Sequence, residues 1–387
     1  MSVIFVEGFT GVSRGSSSPN ATPAILSTMD WRSSAYYNGS AVIPATDTNH
    51  NIVVEADPVF PSRNRASING ILITAVTSYV NQISRTLNTQ GYTKFVLGFM
   101  ATYTGTATDA NTVTLSVMGP ALWTNSTGTG VANDTRFLDL TFPNNGSNGT
   151  AASIAAGVAA VTSPAVVKGT PVHIELLIEE DVDRLRVYLN GVLTTDGAYT
   201  GAFASATGGF SIAMRTGASQ SNAANMKISD LYMLGVDAVH TGILGPGARV
   251  LEVAPQTDYS VQWDRPTGFA SNAAVLQQYN NGSPANYITT GDLATDLYVG
   301  PDAVAANAAT VYGAAMKAYG MTMADGTHVL TAATRYDGTD GQSAKTGTLV
   351  LSTMANYVFD VSLNPKTGLK WTPSEIAASA IGLKLLS

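Results

Sequence analysis

Between Val172 and Val192 apolar and polar residues alternate along two consecutive runs, a period of two that no helix can use. Successive strand side chains point to opposite faces. Val172, Ile174, Leu176 and Ile178 therefore share one face, and His173, Glu175 and Glu179 share the other. On the return run Leu185, Val187 and Leu189 point inward, with Arg186, Tyr188 and Asn190 outward. Glu180, Asp181, Val182 and Asp183 read as the turn between them, and Asn190–Gly191 as the next turn. The pattern predicts a hairpin with one buried and one wet face, and hence a sheet packed on one side.

Similar signals recur along the chain. Val3 to Phe9, Gly70 to Val76, Lys94 to Tyr103, Thr112 to Met118, Phe210 to Arg215 and Met226 to Leu234 read as strands. Thr77 to Gln90 fits strand and helix equally, because near-helical spacing of Tyr79, Val80, Ile83 and Leu87 competes with Thr, Ser and Asn. Gly235, Gly242, Gly245, Pro246 and Gly247 mark a boundary near 235–250. This divides the chain into 1–240 and a second β-rich part, 241–387. In the second part Thr327 to Ala333, Thr348 to Ser352 and Tyr357 to Leu363 read as strands. Tyr336 to Gly341 supplies two Asp-Gly turn signals, and Asn364-Pro365-Lys366-Thr367-Gly368 a further turn. One helix is predicted near the end: Thr372 as N-cap, Pro373 in the first turn, Glu375 completing a capping box, and Gly382 as the stop. The Ala-rich windows Ala303 to Tyr319 and Ala151 to Ala160 lack an apolar stripe, and the first reads as part loop, part strand. No repeat period suggests a solenoid or propeller.

Composition narrows the function. The chain has 387 residues, 45% of them apolar, enough for real cores. Only 12% are charged, against about 25% in an ordinary soluble domain. Thr, Ser, Asn and Gly cover the surface instead, as in Thr124 to Gly130 and Asn144 to Thr150. A net charge of −7 and scattered basic residues argue against nucleic acid as a partner, and Arg63 with Arg65 reads as a solvated loop. There is no cysteine, so disulfides, thiolate zinc sites and thiol nucleophiles are excluded and the redox compartment is left open. The N-terminus has no basic region or long apolar run, and Ala151 to Ala160 is too short to span a bilayer. Synthesis in the cytoplasm without membrane insertion is expected.

Chemistry-bearing residues are few. Glu179, Glu180, Asp181 and Asp183 mimic a glycosidase carboxylate pair, but at a wet hairpin tip no carboxyl would be kept protonated. Oxygen-rich stretches at Asp337 to Asp340, Asn144 to Asn148 and Asp134 to Asp139 match no calcium loop. His50, His173, His240 and His328 have no metal-ligand spacing. Gly11-Val12-Ser13-Arg14-Gly15 lacks the strand and helix of a nucleophile elbow. Trp31, Tyr36, Tyr37, Trp123, Trp263 and Trp371 could stack on sugars, although packing is the commoner role. No catalytic, cofactor or metal residue is assigned, no cofactor is implied, and the chain is expected not to be an enzyme.

The ordered segments resemble those of tailed-phage virion proteins, often minor structural or tail proteins, with an N-terminal concanavalin A-like or laminin-G-like jelly-roll. The segments are Phe5-Val6-Glu7-Gly8-Phe9, His173 to Leu176, Leu185 to Gly191 and Ile228 to Tyr232. They continue with Leu244-Gly245-Pro246, Arg249-Val250, Pro255, Trp263, Asp296-Leu297-Tyr298, Asn364-Pro365, Thr367-Gly368 and Trp371-Thr372. The resemblance implies a mainly β fold, a jelly-roll sandwich followed by a smaller β-rich domain with a short C-terminal helix. It implies a structural part of the virion (tail, neck or collar, fibre or head surface) assembled with other virion proteins as a homo-oligomer, trimer or dimer. The alternative is a glycan-binding adhesin or receptor-binding protein that uses the sandwich as a lectin on a host surface glycan.

Overall fold

The computed structural model describes residues 3–7, 31–37, 40–42, 52–56, 64–70, 79–86, 92–103, 112–118, 136–143, 151–153, 169–198, 209–216, 224–237, 242–251, 255–277, 287–291, 293–299, 310–324, 326–353 and 355–387. The protein is mostly β: a jelly-roll sandwich followed by a smaller β-rich unit with a short helix near its end. By contacts one compact unit comprises Glu7–Phe9 and Arg14–Val250, and the other Met1–Val6, Thr10–Ser13 and Leu251–Ser387.

The strands up to the boundary are β1 (Val3–Glu7), β2 (Trp31–Tyr37), β3 (Ser40–Val42), β4 (Ile52–Ala56), β5 (Asn64–Gly70), β6 (Tyr79–Thr86), β7 (Lys94–Tyr103) and β8 (Thr112–Met118). They continue with β9 (Arg136–Pro143), β10 (Ala151–Ser153), β11 (Val172–Glu179), β12 (Arg184–Leu189), β13 (Val192–Ala198), β14 (Gly209–Thr216) and β15 (Ala224–Gly235). One sheet runs β13–β12–β11–β7–β15–β5–β4 and the other β10–β9–β8–β14–β6–β2–β3. The chain crosses repeatedly between them: β6 leaves the first sheet, β7 returns, β8 leaves again, and β14 and β15 repeat the move. That interleaving defines the jelly-roll type of sandwich.

The apolar positions read from the hairpin form the core. Ile174, Leu176, Ile178, Leu185 and Val187 have no solvent exposure, as do Phe95 and Phe99 on β7. Each such side chain contributes on the order of 1.5–3 kcal/mol. The Asn190–Gly191 turn has φ of 49° and 78°, the left-handed pair of a two-residue hairpin. Thr77 to Gln90 contains the strand β6, and Gly70 ends β5; 71–76 lies outside the described residues.

The second unit contains β16 (Thr257–Ser260), α1 (Asn272–Gln277), β17 (Thr295–Val299), β18 (Ala315–Gly320), β19 (Val329–Tyr336), β20 (Thr339–Thr348), β21 (Ala355–Asp360), α2 (Pro373–Ala377) and β22 (Ala380–Leu385). One sheet is ordered β16–β17–β22–β19–β20, and β18 pairs with β21. Its core gathers Leu330, Ala332, Phe359 and Val361, with Trp263 packed against them. Thr372 caps α2 in a capping box with Glu375, as the sequence predicts.

Three local readings change. Gly382 does not stop a helix: it lies inside β22, where an added Cβ would sit 1.8 Å from the Asp296 carbonyl oxygen, so close backbone approach requires it. Asp337–Gly338 makes the β19–β20 turn, with φ of 46° and 77°, but Asp340–Gly341 lies inside β20. The strand expected at Thr348 to Ser352 lies instead at Thr339–Thr348. Helix α1 escaped the sequence reading. Its signal was Ser271, whose hydroxyl accepts the Ala274 amide at 3.0 Å, a helix cap in a polar stretch.

Candidate functional site

The outward side of β11 is not wet. His173, Glu175 and Glu179 are 1%, 0% and 4% exposed. This corrects the one-wet-face expectation, and its cause lies far away in sequence. Residues 242–250, taken for a boundary loop, run over this face as part of the sandwich unit. The Leu244 and Gly245 amides donate to the Glu175 carboxylate at 2.7 and 2.9 Å. The Val250 amide donates to Asp230 at 2.8 Å.

The ladder explains who meets whom. Glu175 lies opposite Gly98 on β7 and Tyr188 on β12, and Gly98 in turn opposite Tyr232 on β15. A Cβ at Gly98 would meet the Tyr232 ring at 2.2 Å, so glycine gives the ring its seat. The Tyr232 hydroxyl then donates to Glu175 at 2.8 Å. His173 Nε2 lies 3.2 Å from the same hydroxyl. Because that hydroxyl's proton goes to Glu175, Nε2–H must be the donor, which leaves Nδ1 bare. Among the described residues Nδ1 has no hydrogen-bond partner, and it lies 3.8 Å from Glu175 Oε2. A bulge between Ser229 and Tyr232 carries Asp230 at φ 52°, which turns its carboxylate to Val250.

The protonation preferences follow from burial. Burial pushes the Glu175 carboxyl above the usual glutamate range, against the lowering by the Leu244 amide, the Tyr232 hydroxyl and the Gly245 amide. Burial, then the Arg249 charge, lowers His173 to about 4. Tyr232 is pushed up, chiefly by burial and then by the Glu175 charge.

Beyond this covered part the same face carries a half-open strip. Glu179 pairs with Lys94 and Arg186, whose side chains are 32% and 23% exposed. Burial alone would raise Glu179, but the hydrogen bonds and charges of Lys94 and Arg186 hold it below the ordinary range. Arg184 Nε donates to Asp196 at 2.7 Å, and Nη2 bonds the other oxygen. Tyr188 stands half-buried in the same outward row as Arg184 and Arg186. Of the acidic turn residues, Asp181 and Asp183 are exposed as expected, whereas Glu179 is on the strand and buried.

The second unit has its own carboxylate centre. Asp296, 0% exposed, accepts the Gln262 and Trp263 amides on one oxygen, and Asn272 Nδ2 (2.8 Å) and the Tyr298 hydroxyl (2.6 Å) on the other. Asp258 accepts the Asn272 and Ala273 amides at the start of α1.

The remaining sequence candidates are dispersed. Asp337 pairs with Lys366, and Asp340 with Arg335. Trp371 is buried and donates to the Val361 carbonyl at 2.7 Å. His328 is half-buried in the second unit. Trp31, Tyr36 and Tyr37 lie on β2, Arg65 on β5 and Asp139 on β9. Gly11 to Gly15, His50, Arg63, Trp123, Asp134, Asn144 to Asn148 and His240 lie outside the described residues. Among the described residues no group of three or more His, Asp or Glu side chains is placed to hold a metal, and no helix is long and apolar enough to cross a membrane.

No protein-family model matches the sequence, and no curated protein matches it. Solved structures do resemble the fold. The catalytic domain of a glycoside hydrolase family 131 protein from Coprinopsis cinerea aligns at 16% identity over 64% of this chain and 100% of its own, with a TM-score of 0.41. The alginate lyase AlgAT5 of polysaccharide lyase family 7 aligns at 9% identity over 55% of this chain and 97% of its own, with a TM-score of 0.34. A sialidase aligns at 12% identity over 69% of this chain but only 26% of its own, with a TM-score of 0.31. These likenesses concern the sandwich and transfer no activity. The expectation that the chain is not an enzyme is nevertheless withdrawn, because the setting it assumed for the acidic cluster does not hold throughout. That cluster was placed at a wet tip; Asp181 and Asp183 are exposed there, but Glu179 is buried on β11.

Proposed function

We propose that the sandwich is a glycan-binding module whose ligand lies along the strip formed by Lys94, Glu179, Arg186 and Tyr188, beside the Arg184–Asp196 pair. The observation that supports this reading is the concentration of charge on that strip. In a chain with 12% charged residues, buried Glu179 holds Lys94 and Arg186 in position while both keep partial exposure, and Arg184 pairs with Asp196 beside them. Preoriented donors and acceptors beside an aromatic ring suit a polyhydroxylated ligand, because their ordering cost is met before binding.

The test is a glycan array followed by calorimetry. Arg186→Ala and Tyr188→Ala should each weaken the best ligand at least about tenfold, or about 1.4 kcal/mol. Silence across the array, or binding unchanged in both variants, would sink the reading.

The ordered segments shared with tailed-phage virion proteins support a setting for such a module: display on a particle, as part of its attachment apparatus. Exposed Met321, Met323, Val350 and Leu351, gathered by the Thr322–Leu351 bridge, suit contact with another virion subunit. Antibody labelling of purified particles would test this; unlabelled particles would remove it.

A further inference from the structure

We propose that residues 242–250 form an acid-released strap, fastened across the sandwich by ionised Glu175 and Asp230 and freed at its centre when Glu175 takes up a proton. The strap has no helix or strand of its own. Its Ala248 amide bonds the Gly245 carbonyl, and Arg249 bonds the Pro246 and Ala248 carbonyls, all within the strap. Its amide bonds to the sheet run into carboxylates: Leu244 and Gly245 to Glu175, and Val250 to Asp230. Gly245, at φ 87°, lets two successive amides converge on one side chain, the backbone arrangement that binds anions.

The unpartnered nitrogen of His173 supplies the second state. With Glu175 ionised, Oε2 accepts the Gly245 amide and His173 Nδ1 stands bare. A proton on Oε2 removes that acceptor. It also creates a donor 3.8 Å from Nδ1, a gap that a small side-chain movement closes. One proton thus exchanges a strap bond for a bond inside the sheet. Among the described residues the other charged or titratable groups around the pair are Tyr188 on β12, Tyr232 and Asp230 on β15 and Arg249 on the strap. Tyr232 and Leu244 keep their bonds to Oε1 in both states, so the sheet holds and the strap loosens at Gly245.

Hydrogen exchange of the full chain tests this, with rates corrected for the intrinsic effect of pH. Protection of the Gly245 amide should fall at least about tenfold between about pH 7.5 and pH 5, while β7 and β11 stay protected. Glu175→Gln should loosen the strap at both pH values and abolish the response. Should that variant not fold, Asp230→Asn serves: it should loosen Val250 and leave the pH response at Gly245 intact. Equal protection of the unaltered strap at both pH values would overturn the proposal, as would a pH response that survives in Glu175→Gln. The outcome does not depend on whether a glycan binds.

Discussion

Glu175 in the sandwich and Asp296 in the second unit are both carboxylates without solvent exposure, and both accept backbone amides and a tyrosine hydroxyl. Their neighbours differ. Asp296 also binds Asn272, which opens α1, and the start of that helix is held separately by Asp258. Glu175 draws its amides from a segment without regular structure and stands beside a histidine with a bare nitrogen. The first arrangement ties Gln262 and Trp263, which follow β16, to the start of α1 and to Tyr298 on β17. The second holds down something that can come away. A buried carboxylate is thus a cornerstone or a catch according to what its donors are attached to.

The largest effect should come from Asp296→Ala, which orphans amide and hydroxyl donors together. Each unsatisfied buried group costs about 1–3 kcal/mol, so a loss of about 4 kcal/mol or more is expected, read by urea denaturation through tryptophan fluorescence. A loss below about 1 kcal/mol would break the comparison. Gly98→Ala comes next: its methyl would strike the Tyr232 ring and cost about 2–3 kcal/mol, as overpacking does. It should also loosen the strap; denaturation and exchange on the same sample check both.

The smallest effect is a pH dependence. His173 titrates near 4 in the fold, below its ordinary 6.5. Its neutral form therefore adds stability that is complete above about pH 6.5 and lost as pH falls toward 4. Glu175, raised by burial, works in the opposite sense and gains as pH falls from its folded value toward the ordinary one. His173→Gln should flatten the acid side of the stability profile. An unchanged profile would remove His173 from the switch.

Local chemistry was legible in the sequence. Asn190–Gly191, Asp337–Gly338 and the Thr372–Glu375 capping box all form as read, because each is decided within four residues. β7 and β8 match the expected bounds, the first read from its aromatic and apolar run and the second from its alternation. The polar face of β11 was misread because its cover arrives from about seventy residues downstream, as glycine and proline in a stretch that resembles a linker. Gly382 was misread because a glycine that ends a helix and one that admits a neighbouring backbone look alike in a sequence. Nothing local to Glu175 announces that Leu244 and Gly245 will reach it.

The seat that Gly98 gives Tyr232 is not isolated: a Cβ at Gly235 would strike the Tyr92 ring, and one at Gly347 the Tyr357 ring. Each glycine and its tyrosine act as one composite unit, a bare stretch of backbone roofed by a flat ring. Such a unit can be exchanged only whole. Enlarging the glycine ejects the ring, and trimming the tyrosine opens the ladder to water. Among relatives of this chain the two members of each couple should therefore change together or not at all, which turns a pair of unremarkable letters far apart in the sequence into a marker of strand register.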